Sequence, residues 1–425
     1  MSVSKDASEA PVPRSIVVVG ASHAAVHLAD RLRSEGYTGD VTLISHEQHL
    51  PYQRPPLSKA WLEGEATDET LLLRDRTYYA NERIELITGA RVQKVERESR
   101  GVRVDYARQG SCVSREFDRL VLATGARARR LTLPGSDHRD VLVLRDLDHA
   151  RQLAERVRAG PMVVIGGGFV GLEVAATARS LGAEVTVIEA GTQLLGRAVG
   201  ASTAETLLAA HRGMGTDVVL GAVPAEIVRD DDGIRGVRLD DGREIPAATV
   251  LVGIGAEART ELAEQLGVVC DGGVLVDGQC LASDGWTLAI GDCATHVSHT
   301  GRRFRLESVD NATEQANTAA AVLLGKPCPR RSAPWFWSDQ GDQKLQIVGL
   351  LGGHTSVLVR VDPEKPRRRV ALYFADNALI AAECLNSPAD FVALRSALGR
   401  GYRPSPEMLS DNTIGLKKLL MPVRS

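Results

Sequence analysis

The stretch MVVIGGGFVGLEVAA, residues 162–176, decides the fold class, because an apolar run ends in three glycines and then continues with the apolar spacing of a helix. The glycines follow the GxGxxG pattern and stand at Gly166, Gly168 and Gly171. In such a unit the first glycine permits a tight turn, the second lets the backbone approach a pyrophosphate, and the third lets helix and strand pack closely. The pattern therefore predicts a strand, a helix and a dinucleotide site where they meet.

The strand that follows, residues 184–189, ends in an acidic side chain. Glu189 can accept hydrogen bonds from the adenine ribose hydroxyls of NAD, and its charge would repel the extra phosphate of NADP. No arginine follows it immediately. NADH is therefore the predicted nicotinamide cofactor.

The same pattern occurs in a less regular form near the N-terminus. SIVVVG at 15–20 is followed by helical apolar spacing over 21–32 and by an apolar strand over 41–45. Gly20 begins the turn, but Ser22 stands where the second glycine is expected. A side chain there crowds a pyrophosphate, although its hydroxyl could donate a hydrogen bond to it. The unit predicts a second nucleotide site.

The other predicted elements indicate how the two units are arranged along the chain. Strands are also predicted at 120–125, 162–166, 250–255, 288–292, 356–361 and 370–374, and a helix at 169–181. The strands at 120–125 and 250–255 bracket the strand–helix–strand motif that begins at residue 162. The second nucleotide domain is therefore predicted to be an insertion within the first. After about residue 330, prolines, the aromatic cluster 335–337 and alternating segments predict a further α+β domain.

Composition excludes several classes of function. The 425 residues carry a net charge of −3, so the chain has no overall basic field for nucleic acid. The six cysteines form no CxxC pair, which argues against zinc or a local redox disulfide and favours a reducing cytoplasm. Residues 1–14 do not have the pattern of a signal peptide, and no apolar run reaches the roughly 18 residues of a membrane span.

Seven further segments occur in an order that strongly resembles the FAD-dependent ferredoxin reductases of bacterial oxygenase systems. These segments are PYQRPPLSK (51–59), LVLATGAR (120–127), GGGFVGLEVAATA (166–178), VGIG (252–255), AIGDCA (289–294), ESVDNATEQA (307–316) and PWFWSDQGDQKLQIVGL (334–350). The resemblance runs from about residue 15 to the C-terminus. The first and last segments are much more specific than either glycine motif.

This resemblance implies an α/β fold of the glutathione reductase type, with two Rossmann-type domains and a C-terminal α+β interface domain. The implied FAD domain comprises 1–126 and 253–329, the NAD domain 127–252 and the C-terminal domain 330–425. The implied FAD contacts are Gly20, Ala24, Lys59, Val92, Arg145, Asp292, Val309 and, with less support, Trp337. Lys59 is expected beside the isoalloxazine. Glu173 is expected to approach both that lysine and the nicotinamide, and a glutamate in an apolar helix needs such a partner.

The implied activity is transfer of electrons from NADH through FAD, one at a time, to a small acidic iron–sulfur ferredoxin that binds transiently. The ferredoxin would serve a haem-thiolate monooxygenase or a dioxygenase. Disulfide reductases of this fold carry cysteines after their first strand–helix–strand motif. At that place this chain has His46, Glu47, Gln48 and His49. Thiol chemistry is therefore not expected. The protein is expected to be a monomer or a weak dimer.

Two alternatives share parts of this pattern. An NADH-dependent reductase of a small oxidant, such as monodehydroascorbate or oxygen, would have the same fold and the same cysteine-free flavin site. The other alternative is a nucleotide-binding regulator that has lost FAD. Ser22 and His46, which depart from the expected FAD pattern, motivate it. A metal site at His23, His46 and His49 is not predicted, because nothing near them has ligand spacing.

Ferredoxin docking is expected to use a local cluster of cations, because the chain as a whole is slightly acidic. Arg302, Arg303 and Arg305 form the densest cluster near the predicted flavin-binding AIGDCA segment, and Arg74 is a further candidate. Many relatives carry arginine where this chain has Asn317. The docking surface of this chain can therefore differ from theirs.

Overall fold

The computed structural model describes residues 12–196, 198–231, 233–297, 301 and 303–421. The α-helices in these residues are α1 (His23–Ser34), α2 (Ala60–Glu63), α3 (Arg76–Asn81), α4 (Leu147–Arg156), α5 (Phe169–Ser180), α6 (Ala201–Gly213), α7 (Glu261–Gln265), α8 (Val309–Leu323), α9 (Pro388–Gly399), α10 (Pro406–Leu409) and α11 (Leu416–Leu419). Short 3-10 helices cover Pro55–Ser58 and Gly291–Cys293. No helix in these described ranges is both long and apolar enough to cross a bilayer.

The strands are β1 (Ser15–Val19), β2 (Asp40–Ile44), β3 (Ile84–Ile87), β4 (Ala90–Glu98), β5 (Gly101–Arg108), β6 (Ser111–Phe117), β7 (Arg119–Leu122), β8 (Ala126–Ala128), β9 (Val141–Val143), β10 (Met162–Ile165), β11 (Val185–Glu189), β12 (Asp217–Leu220), β13 (Pro224–Asp230), β14 (Gly233–Leu239), β15 (Glu244–Pro246), β16 (Thr249–Val252), β17 (Ala256–Ala258), β18 (Val274–Val276), β19 (Leu288–Ala289), β20 (Ala294–Val297), β21 (Arg303–Phe304), β22 (Trp335–Gln340), β23 (Gln343–Gly349), β24 (Ser356–Val361), β25 (Arg369–Ala375) and β26 (Ala378–Leu385).

The described residues cluster into two compact units. The first unit lies within 12–53, 71–127 and 257–331, and the second within 54–70, 128–256 and 332–421. The chain thus leaves the first unit after residue 127 and returns to it at residue 257. The division into three domains stays a prediction.

The first unit is built on a parallel sheet of order β19-β7-β1-β2-β3. Its central strand β1 is apolar and buried after Ser15, because both faces of the sheet are covered. On one face α1 and α8 pack together through small and branched side chains. On the other face lies the antiparallel sheet β4-β5-β6. This is a layered α/β arrangement in which ligands bind at the carboxyl ends of the strands.

The second unit contains a parallel sheet of order β12-β11-β10-β16-β9. β10 and α5 confirm the predicted strand and helix on either side of the glycine motif, each to within one residue. An antiparallel sheet of order β22-β23-β26-β25-β24 follows, with α9 packed on it. The unit also includes residues 54–70, which carry the RPPLSK sequence. The predicted α/β fold class is confirmed.

Three predicted strands end earlier than expected, and the one predicted at 120–125 ends at Leu122. The strand predicted at 288–292 stops at Ala289, and the chain turns at Gly291, whose φ is +76°. The N–H of Gly291 donates to the side-chain Oε1 of Gln315 at 2.6 Å instead of to a neighbouring strand. The strand predicted at 250–255 likewise ends at Val252. Each glycine therefore marks a turn beyond the strand and not its last residue.

Helix α6 is attached to the C-terminal sheet at its first turn. The Glu383 side chain on β26 is buried and accepts hydrogen bonds from the Gly200 N–H at 2.9 Å, the Tyr373 hydroxyl at 2.8 Å and the Thr203 hydroxyl. Burial raises the pKa of Glu383. The carboxyl group thus satisfies backbone and side-chain donors at the start of α6, which fixes this helix against the sheet.

Candidate functional site

The glycine motif of the second unit forms a cradle at the start of α5. A Cβ on Gly171 would lie 2.5 Å from the Gly166 carbonyl oxygen, so only glycine allows this helix to pack against its strand. Gly168 is different, because its φ of −84° suits any residue and a Cβ would meet only the Gly253 oxygen, at 3.5 Å. The protein itself therefore does not require glycine at 168. The space there fits a ligand phosphate at the helix N-terminus.

Glu189 lies beside this cradle, at the end of β11. Its Oε2 accepts the Gly167 N–H at 2.7 Å, and its Oε1 accepts the Gly191 N–H at 2.7 Å. The carboxylate therefore holds the glycine turn and the following loop together. Each oxygen keeps a further lone pair with which it could accept a ribose hydroxyl. This bracing of the turn was not foreseen from the sequence.

The first unit has a second cradle, at the carboxyl end of its sheet. Gly20 has φ +116°, and a Cβ there would lie 2.1 Å from the Ala123 oxygen, which excludes any other residue. Ala24, on the first turn of α1, lies against Gly291, where a Cβ would be 3.2 Å from that of Ala24. Asp292 follows in the same turn. The structure thus brings three predicted FAD residues of the first unit together.

Val309 and Val92, the other FAD residues predicted in the first unit, lie on α8 and β4. Val309 is the first residue of α8, and the Ser308 hydroxyl caps this helix by accepting the Asn311 N–H at 3.1 Å. Val92 lies in β4, where the pairing with β5 shifts register. Two residues earlier, the Ala90 N–H donates to the carbonyl of Ser45, which directly follows β2. The N-terminus of α8 fits a group that carries negative charge.

Lys59 and Glu173 form an ion pair in the second unit. The Lys59 Nζ lies 2.8 Å from the Glu173 Oε2, and the glutamate is only 5% exposed. The same Oε2 accepts the Ser58 hydroxyl at 2.5 Å, and Oε1 accepts the Ser338 hydroxyl at 2.7 Å. The predicted pair is therefore in direct contact. Its carboxylate accepts from three donors, as a buried charge requires, and Oε1 keeps a lone pair for one more.

The RPPLSK segment is held in place by its own contacts. Its two prolines start a 3-10 helix over Pro55–Ser58. The Ser58 carbonyl accepts the Thr177 hydroxyl of α5 at 3.0 Å, one helical turn beyond Glu173. The Arg54 guanidinium donates to the carbonyl of Arg145 at 2.7 Å, so the predicted FAD residue Arg145 is tied to this segment. These bonds fix the backbone on either side of Lys59.

The WFWSDQ strand presents alternate side chains to opposite faces. On one face, the rings of Trp335 and Trp337 stack with centroids 5.3 Å apart. On the other face, the Phe336 ring lies 4.5 Å from that of Phe169, and the Ser338 hydroxyl bonds Glu173. The second face therefore packs against α5. A position of Trp337 beside the flavin stays a prediction.

Four side chains that support Glu173 were missed in the sequence. Ser58, Ser338, Gln340 and His211 are all buried in the second unit. The alternation of Phe336, Ser338 and Gln340 could have indicated a shared face, but nothing in the sequence says what that face covers.

The arginines expected to dock a ferredoxin are partly neutralised in the first unit. Arg303 pairs with Asp271, and the Arg305 guanidinium lies 2.6 Å from Glu307 and 3.1 Å from the carbonyl oxygen of Asp292. The third candidate of this cluster, Arg302, lies outside the described residues. The further candidate, Arg74, contacts Asp30 at 2.6 Å. The docking cluster stays a prediction, and the ion pairs reduce its positive charge.

Two cradles at the carboxyl ends of parallel sheets and a buried lysine–glutamate pair fit a protein that binds two nucleotides. The chain matches the pyridine nucleotide-disulphide oxidoreductase family over residues 14–316 and the reductase C-terminal family over residues 335–420. It therefore belongs to the pyridine nucleotide-disulphide oxidoreductases, in the group of ferredoxin reductases, and the predicted family is confirmed. Membership also confirms the enzyme class and the use of FAD and NAD(H).

Individual relatives match almost the whole chain. Rhodocoxin reductase of Rhodococcus erythropolis is 38% identical over 405 residues, 95% of this chain and 93% of the relative. A ferredoxin reductase from Rhodopseudomonas palustris superposes with a TM-score of 0.90 at 40% identity, covering 96% of this chain and 100% of that structure. The reductase in the covalent putidaredoxin reductase–putidaredoxin complex gives a TM-score of 0.90 at 33% identity. The match covers 95% of this chain and 97% of that structure.

The cradle around Gly168 leads to a specific prediction. Gly168→Ala should fold normally, because the new Cβ meets no protein atom closer than 3.5 Å. It should raise the KM for NADH roughly tenfold, because the methyl group occupies the space of the pyrophosphate. Steady-state kinetics and thermal unfolding of the holoenzyme measure the two effects. Gly399→Ala is the matched control, because a Cβ there would meet no other side chain or strand within 4 Å. It should change neither the KM for NADH nor the thermal stability. An unchanged KM in Gly168→Ala would mean that the nucleotide does not bind at this turn.

Proposed function

We propose that this chain is an NADH-dependent flavoprotein reductase that passes electrons from NADH through FAD, one at a time, to a small iron–sulfur ferredoxin. That ferredoxin would serve a cytochrome monooxygenase or a dioxygenase. The observation that carries the proposal is similarity over 95% of the chain to rhodocoxin reductase and to the reductase crystallised with putidaredoxin. Both nucleotide cradles and the C-terminal sheet lie within this matched length.

The first unit would hold most of the FAD. The N-terminus of α1, after Gly20, offers N–H groups to the pyrophosphate, and Asp292 can accept a hydrogen bond from a ribityl hydroxyl. Val309 would offer its backbone N–H, with the dipole of α8, to negative charge on the ring. Val92 and Ala24 would line the same site. When bound, FAD supplies a ring that accepts two electrons from NADH and releases them singly.

Lys59 and Glu173 would take part in this chemistry through the bound rings. An ammonium carries three N–H donors, so Lys59 can bond Glu173 and a flavin atom at the same time. Glu173 would orient the nicotinamide through its amide group. Arg145 would contact the FAD phosphates and Trp337 would lie near the ring. The role of these residues is to orient two rings and tune their charge, and no acid–base triad is needed.

Thiol chemistry has no support in this chain. The segment after β2 carries Ser45, His46 and Glu47 where disulfide reductases of this fold carry cysteines. Three of the six cysteines, Cys280, Cys293 and Cys384, are buried, and burial raises the pKa of each. Electrons would therefore leave the flavin for an external carrier.

The proposal is tested by NADH-dependent reduction of cytochrome c in the presence of a panel of small iron–sulfur ferredoxins, putidaredoxin among them. At least one ferredoxin should accelerate the reaction by about tenfold or more over enzyme alone, because it relays electrons that the flavin cannot deliver directly to the cytochrome. If NADH is consumed rapidly with oxygen alone and no ferredoxin adds to the rate, the chain is a reductase of a small oxidant. A protein that neither holds nor regains FAD would be a regulator.

The NADH preference is expected to depend on the charge of Glu189. A carboxylate about 4 Å from a phosphate charge near the surface is repelled by roughly 4 kcal/mol before screening. Glu189→Arg should therefore lower the ratio of kcat/KM for NADH over NADPH by at least about tenfold. Affinity for both nucleotides should fall as well, since the N–H groups of Gly167 and Gly191 lose their acceptor.

Asp217→Asn, which changes an exposed acid on the neighbouring strand, is the control for Glu189→Arg. A wild-type enzyme that uses both nucleotides equally would contradict this assignment.

The surface at Arg303 gives a paired test of ferredoxin docking. If an acidic ferredoxin binds there, Arg303→Glu should slow its reduction at low salt, whereas Asp271→Asn should speed it by freeing the arginine from its partner. Exposed pairs contribute about 0.2 to 1 kcal/mol, so each change should alter the rate about one- to fivefold. Both effects should shrink as salt screens them. Glu364→Gln, which makes the same change in net charge at an exposed loop of the second unit, should have no effect. Equal rates in all variants would move docking to another surface.

A further inference from the structure

A line of buried side chains leads away from Glu173 through the second unit. The Ser338 Oγ lies 2.7 Å from the Glu173 Oε1, and the Gln340 Nε2 lies 3.1 Å from the Ser338 Oγ. The Gln340 Oε1 lies 2.9 Å from the His211 Nε2 on α6. Ser338, Gln340 and His211 are each 0% exposed. The line therefore runs from the ion pair to helix α6 without contact with solvent.

The direction of every bond in this line follows from the charge of Glu173. An ionised carboxylate can only accept, so the single hydroxyl proton of Ser338 points to Glu173. The Ser338 oxygen must then accept from Gln340, which fixes the amide with its NH2 group towards the serine. The amide oxygen consequently faces His211 and can only accept. The proton of a neutral imidazole must therefore sit on Nε2.

The environment of His211 agrees with this neutral tautomer. Burial lowers the pKa of His211. Its Nδ1 is buried and has no hydrogen-bond partner in the described part of the chain, so a proton there would gain no acceptor. A positive charge on the ring is thus disfavoured on both counts. The imidazole acts as a fixed N–H donor at the start of the line.

We propose that His211, Gln340 and Ser338 are positioning residues that hold the Glu173 carboxylate ionised and in one orientation, through a one-way line of hydrogen bonds. The proposal rests on the proposed function only in what Glu173 then does for the nicotinamide. The C-terminal sheet supplies Ser338 and Gln340, and α6 supplies His211. Because Glu383 fixes the first turn of α6 to the same sheet, the helix is attached at both ends.

The line leaves Glu173 with little freedom to rotate. Ser338 bonds one carboxylate oxygen, whereas Ser58 and Lys59 bond the other. Loss of Ser338 would free Oε1 and let the carboxylate turn about its bond to Lys59. A buried serine that donates to a carboxylate also occurs elsewhere in the unit, where the Ser387 hydroxyl lies 2.7 Å from Asp390. This second pair provides a matched control.

The first test reads the tautomer directly and does not depend on turnover. Histidine-labelled holoenzyme is studied by nitrogen NMR at neutral pH, with His211→Gln used to assign the His211 signals. The wild-type ring should be neutral with its proton on Nε2. In Gln340→Glu, a carboxylate faces both neighbours, so the Ser338 proton turns away from Glu173 and the imidazole pKa should rise. A wild-type ring protonated on Nδ1 would overturn the proposal.

The second test measures flavin reduction by NADH in a stopped-flow instrument, which separates the limiting rate from the dissociation constant. Ser338→Ala should lower the limiting rate about tenfold, the effect of one hydrogen bond to a charged group, with NADH affinity changed much less. Ser338→Ala combined with Gln340→Glu should be no slower than Ser338→Ala alone, because both break the same line. Ser387→Ala should reduce its flavin at the wild-type rate.

The outcomes separate the two proposals. A wild-type limiting rate in Ser338→Ala, with FAD content and thermal stability intact, would overturn the positioning role. If Ser338→Ala failed to fold, Gln340→Glu alone would decide, and a wild-type rate there would overturn it equally. A wild-type enzyme whose flavin NADH does not reduce would refute the proposed function, while the tautomer would still test the line.

Discussion

The buried carboxylate of Glu173 is the constraint on which the second unit depends. A charge that is 5% exposed is costly unless donors surround it, and removing one partner from such a group is strongly destabilising. Its donors come from two parts of the chain that are far apart in sequence: Ser58 and Lys59 in one segment, and Ser338 in the other. Correct packing of both segments against α5 is therefore required to satisfy one side chain.

This arrangement explains why the RPPLSK and WFWSDQ sequences occur together. The first supplies a lysine directly after a short helix that two prolines start, and the second supplies a serine on a strand whose alternate side chains face α5. Neither segment carries the chemistry alone. The lysine pairs with Glu173 and the serine bonds its other oxygen, so both segments contact the same side chain of one helix. The same helix begins at the glycine cradle, so nucleotide binding and the ion pair share one rigid element.

Much of the fold could be predicted from the sequence, and the reason is local. Glycine spacing and β-branched runs determine a strand, turn and helix within some twenty residues, as at β10 and α5. The contact of Lys59 with Glu173 could be expected only from resemblance, because 114 positions separate them. Ser338, Gln340 and His211 were missed because hydrogen bonds between distant segments leave no periodic signal. The ion pairs of Arg303 and Arg305 were missed for a similar reason, since charge along a sequence does not show which acids will lie beside it.

The central claim is that Glu173 is ionised inside the protein at neutral pH, and infrared difference spectroscopy of the holoenzyme tests it most directly. Spectra of the wild type and of Glu173→Gln are compared from pH 6 to pH 8. The account predicts that the wild type shows a carboxylate band that the variant lacks, and no band of a protonated buried carboxylic acid at this position. A protonated acid band that is present in the wild type and disappears in Glu173→Gln would contradict it.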